Sequence, residues 1–578
     1  MVSAENRTGL YIVIPLYFIS LCVVAVLAWR QNQILKHRSD DLTAHYLGGR
    51  ALGPLMTAGT MFASLFSGYT VVGIPNEAFK TGWDSLRWLP SGIGLLAGYA
   101  GTAYRLRRCS LIRNHQSPGD FITDRFRSQV LRYTMLALQA IPSIVYLAAQ
   151  VLATKQTFNS IFEIDPNSPI AVTIIFVLIL VFEWTGGLLS VAATDAIQGI
   201  IMVVSFLILP VLVHANYGGW SDLNPETFSK PVFYQTPTVK TQWLMWNFSM
   251  VNIGFFSLPH LVQRTYAAKD LKSLKFGFAC LAIGTWLTWI PGIYLGTMGV
   301  HILAKKGIKN PASPFVAILE EIMNLGSFEK FVGVLAFTAS LAAIMSTADS
   351  IISATSQLLT AEFAYPILPN ASPSTITWIG RVVAVILVII ALIIGLVWDE
   401  SLTDLGKVQF GMSLQCIPSF IIGLFAWKAT DCHPWSLASG GVLGFILTLV
   451  LYFSYSKVNP SAFPMDTGVT GLFFNCILVF LLEIIRRIVT GTLFCYSSKS
   501  SKGDEEVLVE SIQSALIFPE PIQVDADESE ETIPFSNRPA WDIPKTSRFG
   551  EVSLTPALIW KCMEGTWEPL TNPALVFL

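Results

Sequence analysis

Three residues near the middle of the chain could hold a small hard cation. Ala343, Ser346 and Thr347 are spaced i, i+3, i+4 in the run Ala343-Ile344-Met345-Ser346-Thr347-Ala348-Asp349-Ser350. On a helix they share one face. A backbone carbonyl and two hydroxyls are oxygen ligands, which hard cations prefer, and a monovalent ion needs no dense cluster of acids. Serine and threonine also pack helix against helix in membranes, so the spacing alone leaves both roles open.

Two further acids fall in apolar runs and are expected to be buried. Asp349 lies just past Thr347, and Asp195 opens another apolar run. An ionisable group inside a membrane segment is costly and points to function by default. Both are candidates for an ion path, with an interface or helix-end acid as the alternative. Asp195 is expected in the first turn of its helix, where the dipole favours negative charge. Glu183 is a weaker candidate near the end of the preceding run.

Two long apolar runs are broken in the same manner. Residues 51–79 carry Ala63-Ser64-Leu65-Phe66-Ser67-Gly68-Tyr69 and then Gly73-Ile74-Pro75; residues 242–262 carry Gly254 and then Ser257-Leu258-Pro259-His260. A helix in lipid must satisfy its backbone internally, so a break survives only where protein or a ligand completes it. Matching breaks in two halves of a chain mark the binding site of a secondary transporter. The solute is expected between them, near the midplane. Ser67, Gly68 and Tyr69 offer backbone groups from the first break, and Asn252, Phe255 and Leu258 come from the second. Gln409, Ser413 and Gln415 are the polar residues of a later run, with Gln415 the preferred contact. His260 is expected to cap or pack.

The elements that position these residues are membrane helices. The 578-residue chain is 52% apolar and 13% charged, against about 25% charged in ordinary soluble proteins. About 20 apolar residues cross a bilayer. Thirteen spans are expected, at 10–29, 51–79, 86–106, 130–154, 169–190, 193–214, 242–262, 276–303, 328–358, 374–398, 403–427, 434–455 and 467–488. The reading is an all-α integral membrane domain over residues 1–490 and a cytoplasmic, largely disordered tail over 491–578. The tail carries the acidic run Asp525-Ala526-Asp527-Glu528-Ser529-Glu530-Glu531. Such composition cannot bury a core, and the tail is the part that regulators could bind.

Charge placement orients the chain. Arginines crowd residues 105–132, basic residues at 264–275 follow the second broken run, and Arg486 and Arg487 follow the last span. Basic loops stay cytoplasmic, which puts the N-terminus outside and the C-terminus inside a multi-pass protein, with the plasma membrane as the default location. The net charge of −2 gives no footprint for nucleic acid. The eight cysteines are scattered without CxxC pairs, and neither HExxH nor a Walker motif is present. No catalytic residue, enzyme activity or bound organic cofactor is expected. The partners are a small-molecule solute, a cation and the lipid bilayer.

Four blocks together resemble the sodium:solute symporter family. They are Tyr46-Leu47-Gly48-Gly49-Arg50-Ala51-Leu52-Gly53-Pro54; Gly186-Gly187 with Thr194-Asp195 and Gln198; Pro259-His260 with Arg264 and Ala267-Ala268; and Ala342-Ala343 through Thr347. They fall in the family's order across residues 10–490. The resemblance implies a LeuT-type fold of two inverted five-helix repeats, spans 2–6 and 7–11, with one extra N-terminal and two extra C-terminal helices. It implies symport by alternating access, driven by Na+. The implied Na+ ligands are the carbonyls of Ala63, Phe66 and Ala343 and the hydroxyls of Ser346 and Thr347, and Asp195 matches a position on the family's ion path. The proline-transporter branch carries an acid where this chain has Leu65, which leaves H+ coupling or facilitated passage open, with a non-transporting sensor as a further alternative. The stretch Gln409–Gln415 is more similar to the pantothenate-type branch. The implied solutes are carboxylates, amino acids or pantothenate-like molecules.

Overall fold

The structure is a computed structural model in which residues 4–490 are described, apart from 37–40, 163–167, 223–230, 234, 365–366, 369, 399–400, 426–431 and 457–464. The expected tail, 491–578, lies outside the described residues. Among the described residues the regular elements are helices, and an isolated parallel bridge joins Leu52 to Ala268.

Among the described residues, nine helices are long and apolar enough to cross a bilayer, and the bent pair Pro54–Leu65 with Tyr69–Arg113 passes the same test with a 52° turn. That pair covers two of the expected spans. Two others fall on the shorter apolar helix Ile170–Trp184 and on the broken run around 242–262. The chain is an integral, multi-pass membrane protein.

The helices that frame the site and its surroundings begin with α1 (Ala4–Lys36), α2 (Pro54–Leu65), α3 (Ile74–Thr81), α4 (Trp88–Arg113), α5 (Gln129–Phe162) and α6 (Ile170–Tyr217). After them come α7 (Val239–Val251), α8 (Pro259–Ala267), α9 (Leu271–Ala304), α10 (Ser327–Leu359) and α11 (Pro373–Val397). The chain continues with α12 (Leu402–Ser413), α13 (Ile417–Phe425), α14 (Pro434–Leu451) and α15 (Thr467–Val489). Helix α11 shows how sequence sets position. Ser372 caps its N-terminus by accepting from the Thr375 N–H at 3.2 Å, and Pro373 fits the first turn, where no amide donor is needed. Ala384, Leu387, Val388 and Ala391 are buried, while Val382, Ile386, Ile389 and Ile393 are exposed. Both faces are apolar, so one meets protein and the other lipid.

Helix α10 has no such outward face along most of its length: from Val332 to Leu358 nearly every residue is buried. It packs against α2, α5, α6 and α11, so the Ser346 face sits at the centre of the molecule.

Helix α6 joins two expected spans in one run, turning at Gly187, whose φ of 58° and ψ of −157° lie outside the helical range. A side chain there would collide with the His45 carbonyl oxygen and come within 2.7 Å of His45 Nδ1. Glycine alone tolerates both constraints. The helix therefore starts its second half earlier than expected. Asp195 lies about two turns inside it, where the terminal dipole no longer favours it. This corrects the first-turn placement.

The two broken runs meet at their ends. Leu52 N–H donates to the Ala267 carbonyl at 3.3 Å, and Lys269 N–H donates to the Leu52 carbonyl at 2.8 Å. Arg50, with a left-handed φ of 55°, is held beside this seam by bonds to Ser110 Oγ at 2.8 Å and the His115 carbonyl at 2.7 Å.

Candidate cation and solute sites

Helix α2 ends at Leu65 because Phe66 takes φ −84° and ψ 83°. The chain resumes as a widened turn over Tyr69–Gly73 and then α3. Gly68 permits this course because a Cβ there would lie 2.5 Å from Ile344 Cγ1 on α10 and 3.0 Å from Ala153 Cβ on α5. The break thus presses against the central helix.

The carbonyl exposed at this break is completed by α10. Ser346 Oγ donates to the Ala63 carbonyl at 2.9 Å and Thr347 Oγ1 to the same oxygen at 3.3 Å. Ser346 also lies 3.3 Å from the Ala343 carbonyl. Four of the five oxygens expected to hold Na+ therefore converge, at 0–1% exposure for Ala63, Ala343, Ser346 and Thr347. These are hard oxygen donors of the kind a small cation takes, and the hydroxyls would ligate it through their lone pairs with their hydrogens turned away. Phe66, the fifth expected ligand, is fully buried one residue past α2.

One turn away on both helices lies a charged network. Ser64 Oγ is 2.9 Å from Ser350 Oγ, and Arg264 donates to Ser350 at 2.5 Å and to Thr60 at 3.2 Å. Thr60 donates to Asp195 at 2.6 Å, and Arg264 stands 3.6 Å from the same carboxylate, both side chains being fully buried. The sequence groups Arg264 with the basic residues that follow the second broken run; it is instead a fully buried residue inside α8. The pairing explains how a charge is kept there, because a buried ion unopposed would be expensive. Asp349, 6% exposed, has an unbonded Oδ1 and lines a small cavity with Thr194, Gln198 and Met345. Glu183 is also buried with an unbonded oxygen, Oε2.

The second break runs through a tight turn at Asn252–Ser257 to Leu258, which is extended at the N-terminus of α8. Here α5 supplies an unexpected contribution. Gln139 donates to the Ser257 carbonyl at 2.8 Å. Farther along the same helix, Tyr146 donates to the Leu65 carbonyl at 3.3 Å and Gln150 accepts from the Gly68 N–H at 3.1 Å. One helix therefore completes both breaks, as lipid-buried backbone requires. The signal in the sequence is three polar residues in an apolar run at i, i+7 and i+11. His260 packs at 6.0 Å from the Tyr146 ring, and neither of its ring nitrogens is bonded; it does not cap.

The expected solute contacts separate into two groups. Tyr69 and Phe255 belong to an aromatic cluster with Phe410: the ring centroids lie 5.6 Å (Tyr69–Phe410) and 5.1 Å (Phe255–Phe410) apart. Trp88 joins it at 5.2 Å from Tyr69. Asn252 is fully buried beside this cluster in sequence. Ser67 Oγ accepts from the Tyr69 N–H at 3.2 Å, which shapes the break. Leu258 is buried and donates its N–H to the Phe255 carbonyl at 3.0 Å. Gln415 stands apart: its amide donates to the Gly411 and Gly468 carbonyls, each at 3.2 Å, and to Thr448 at 3.3 Å, tying α12 to α14 and α15. Gln409 is the glutamine of this region with neither amide atom bonded.

Broken helices around buried, converging oxygens define an ion-coupled membrane transporter. The profile of the Sodium:solute symporter family matches residues 45–432, and the chain belongs to that family, whose coupling ion is sodium. It is 26% identical over 479 residues to a sodium/proline symporter of Staphylococcus aureus (strain bovine RF122 / ET3-1), covering 79% of this chain and 88% of that one. A sodium/proline symporter from Staphylococcus aureus strain JH9 is also 26% identical, over 467 residues, covering 77% and 86%. Among solved structures, a Na+-coupled sialic acid symporter in a substrate-bound outward-open state superposes with a TM-score of 0.64 at 17% identity, covering 84% of this chain and 98% of that one. The fold is therefore the LeuT-type inverted repeat, with α2–α6 and α7–α13 as its halves.

Proposed function

We propose that this protein is a secondary active symporter that carries a small organic solute into the cell across the plasma membrane by alternating access. Na+ binds between α2 and α10, on the Ala63, Phe66 and Ala343 carbonyls and the Ser346 and Thr347 hydroxyls. The observation that carries the reading is the convergence of both hydroxyls on the Ala63 carbonyl. A cation there joins the break of one repeat to the central helix of the other. It favours the state in which the break is ordered, and the solute that shares the break binds that state best. Asp195 and Asp349 lie on the ion's route from this site to the cytoplasm. The N-terminus is outside, and the C-terminal tail is cytoplasmic and open to regulators.

The test is uptake by the full chain in proteoliposomes, with and without an inward Na+ gradient, for wild type and the Ser346→Ala/Thr347→Ala double variant. Proline, pantothenate, short monocarboxylates and urea form the first panel, because relatives named sodium/proline symporters and the resemblance at Gln409–Gln415 support small solutes of this kind. Na+-stimulated uptake lost in the double variant is expected. Uptake indifferent to Na+ and driven by external acid would sink the sodium reading.

A further inference from the structure

The buried amides of the core divide sharply. Gln139, Gln150, Gln198, Gln263 and Gln415 each donate to a named partner within the fold, at 2.8, 3.3, 2.7, 3.0 and 3.2 Å respectively. Asn252 and Gln409 do not: both are fully buried, and in each the amide nitrogen and the amide oxygen are both without a hydrogen-bond partner. Burying an amide without partners is unfavourable. The elements that carry them are neighbours. Asn252 opens the turn of the second break and Gln409 lies on α12, and those elements pack together. Phe255, one turn after Asn252, touches Phe410, the neighbour of Gln409.

We infer that the transported solute is an uncharged molecule bearing hydroxyl or amide groups on an apolar body, read by the Asn252 and Gln409 carboxamides. This deepens the symport reading and rests on it. Each carboxamide offers two donor hydrogens and an accepting oxygen. A hydroxyl or amide on the solute both donates and accepts, so it can satisfy both ends. A carboxylate accepts only, and would leave the two amide oxygens unbonded. Among the described residues, the basic side chain on this cluster is already paired. The arginine packed on the aromatic cluster is Arg87, which pairs with Glu77 at 2.9 Å and lies 4.6 Å over the Phe248 ring. The rings of Tyr69, Trp88, Phe255 and Phe410 provide the apolar flank.

The experiment uses paired probes that differ in charge: pantothenol with pantothenate, and propane-1,2-diol with lactate. The full chain in proteoliposomes is given radiolabelled Na+, and solute-stimulated Na+ entry is read against probe concentration. The neutral member of each pair is expected to act at a concentration at least about tenfold lower than its anionic partner. Asn252→Leu and Gln409→Leu are each expected to raise that concentration about tenfold or more. Na+ binding without solute, read on every variant, shows which proteins are folded; where a leucine variant is not, Asn252→Asp and Gln409→Glu, which trade donors for charge, replace it with the same expectation. Wild type that binds no Na+ fails the symport reading itself. Wild type that binds Na+ but prefers the anionic partners, or responds to neither member, overturns the neutral-solute assignment alone.

Discussion

Ser346 on α10 donates its hydroxyl hydrogen to the Ala63 carbonyl at the end of α2, across 2.9 Å. The contact joins the first helix of one repeat to the central helix of the other, and it does so at the point where α2 loses its own hydrogen bonding. Removing both hydroxyls with Ser346→Ala/Thr347→Ala should raise the half-saturating Na+ concentration about tenfold or more, taking about 1 kcal/mol per neutral oxygen contact. Equilibrium binding of radiolabelled Na+ to the purified protein measures this directly. Unchanged affinity would place the cation elsewhere.

The Asp195–Arg264 pair is fully enclosed, so breaking it from one side should be costly. Arg264→Ala leaves a buried carboxylate and should destabilise the protein by about 3–5 kcal/mol. The double variant Asp195→Asn/Arg264→Gln, which removes both charges, should recover much of that loss. Thermal unfolding in detergent compares the two; a single variant as stable as wild type would show that solvent reaches the pair.

How far the sequence foretold this centre depends on what kind of atom is involved. Ser346 and Thr347 were legible because side-chain type and helical spacing both announce a shared face. Ala63 was not legible from composition, since a carbonyl is common to every residue; the family blocks located it. Asp195 is expected at a helix start, yet the helix continues from Gly187, which packs against His45, distant in sequence, too closely for any side chain. Gln409 and Gln415 look equivalent in one apolar run. Thr448 and Gly468, far along the chain, bind Gln415 and leave Gln409 unbonded, and no local pattern encodes that choice.

Gly68 should resist substitution for steric reasons. Its φ of −54° suits any residue, but an added Cβ would meet Ile344 Cγ1 at 2.5 Å. Gly68→Ala should therefore cost about 1–3 kcal/mol and slow Na+-driven uptake. Ile344→Ala in the same protein should restore part of both. If the second change gives no relief, the clash does not explain the loss.

Asp124, in the short helix Asp120–Phe126, offers a pH test outside the membrane spans. Burial would push its carboxyl upward, but bonds from Arg113 at 2.8 Å and His115 at 2.9 Å outweigh that and hold it below the usual carboxylate range. A group lowered in the folded state stabilises above its unfolded pKa, about 3.9, and that stability is lost as pH falls through the folded value. Wild type should thus lose stability on acidification below about pH 4 more steeply than Asp124→Asn, which should be weaker at neutral pH. Parallel melting curves from pH 3 to 7 would detect the difference; identical slopes would refute it.

Gln139 and Gln150 sit on one helix, α5, with Pro142 between them, and complete the breaks of both repeats. The helix between them rises about 16 Å, so it acts as a gauge rod whose length is set by its backbone hydrogen bonding. A tilt of the rod carries both breaks together. Slippage, in which one ligand escapes while the other stays, needs the two ends of that rod to move independently, and the place where the rod can bend is Pro142, which has no amide hydrogen to donate to the preceding turn.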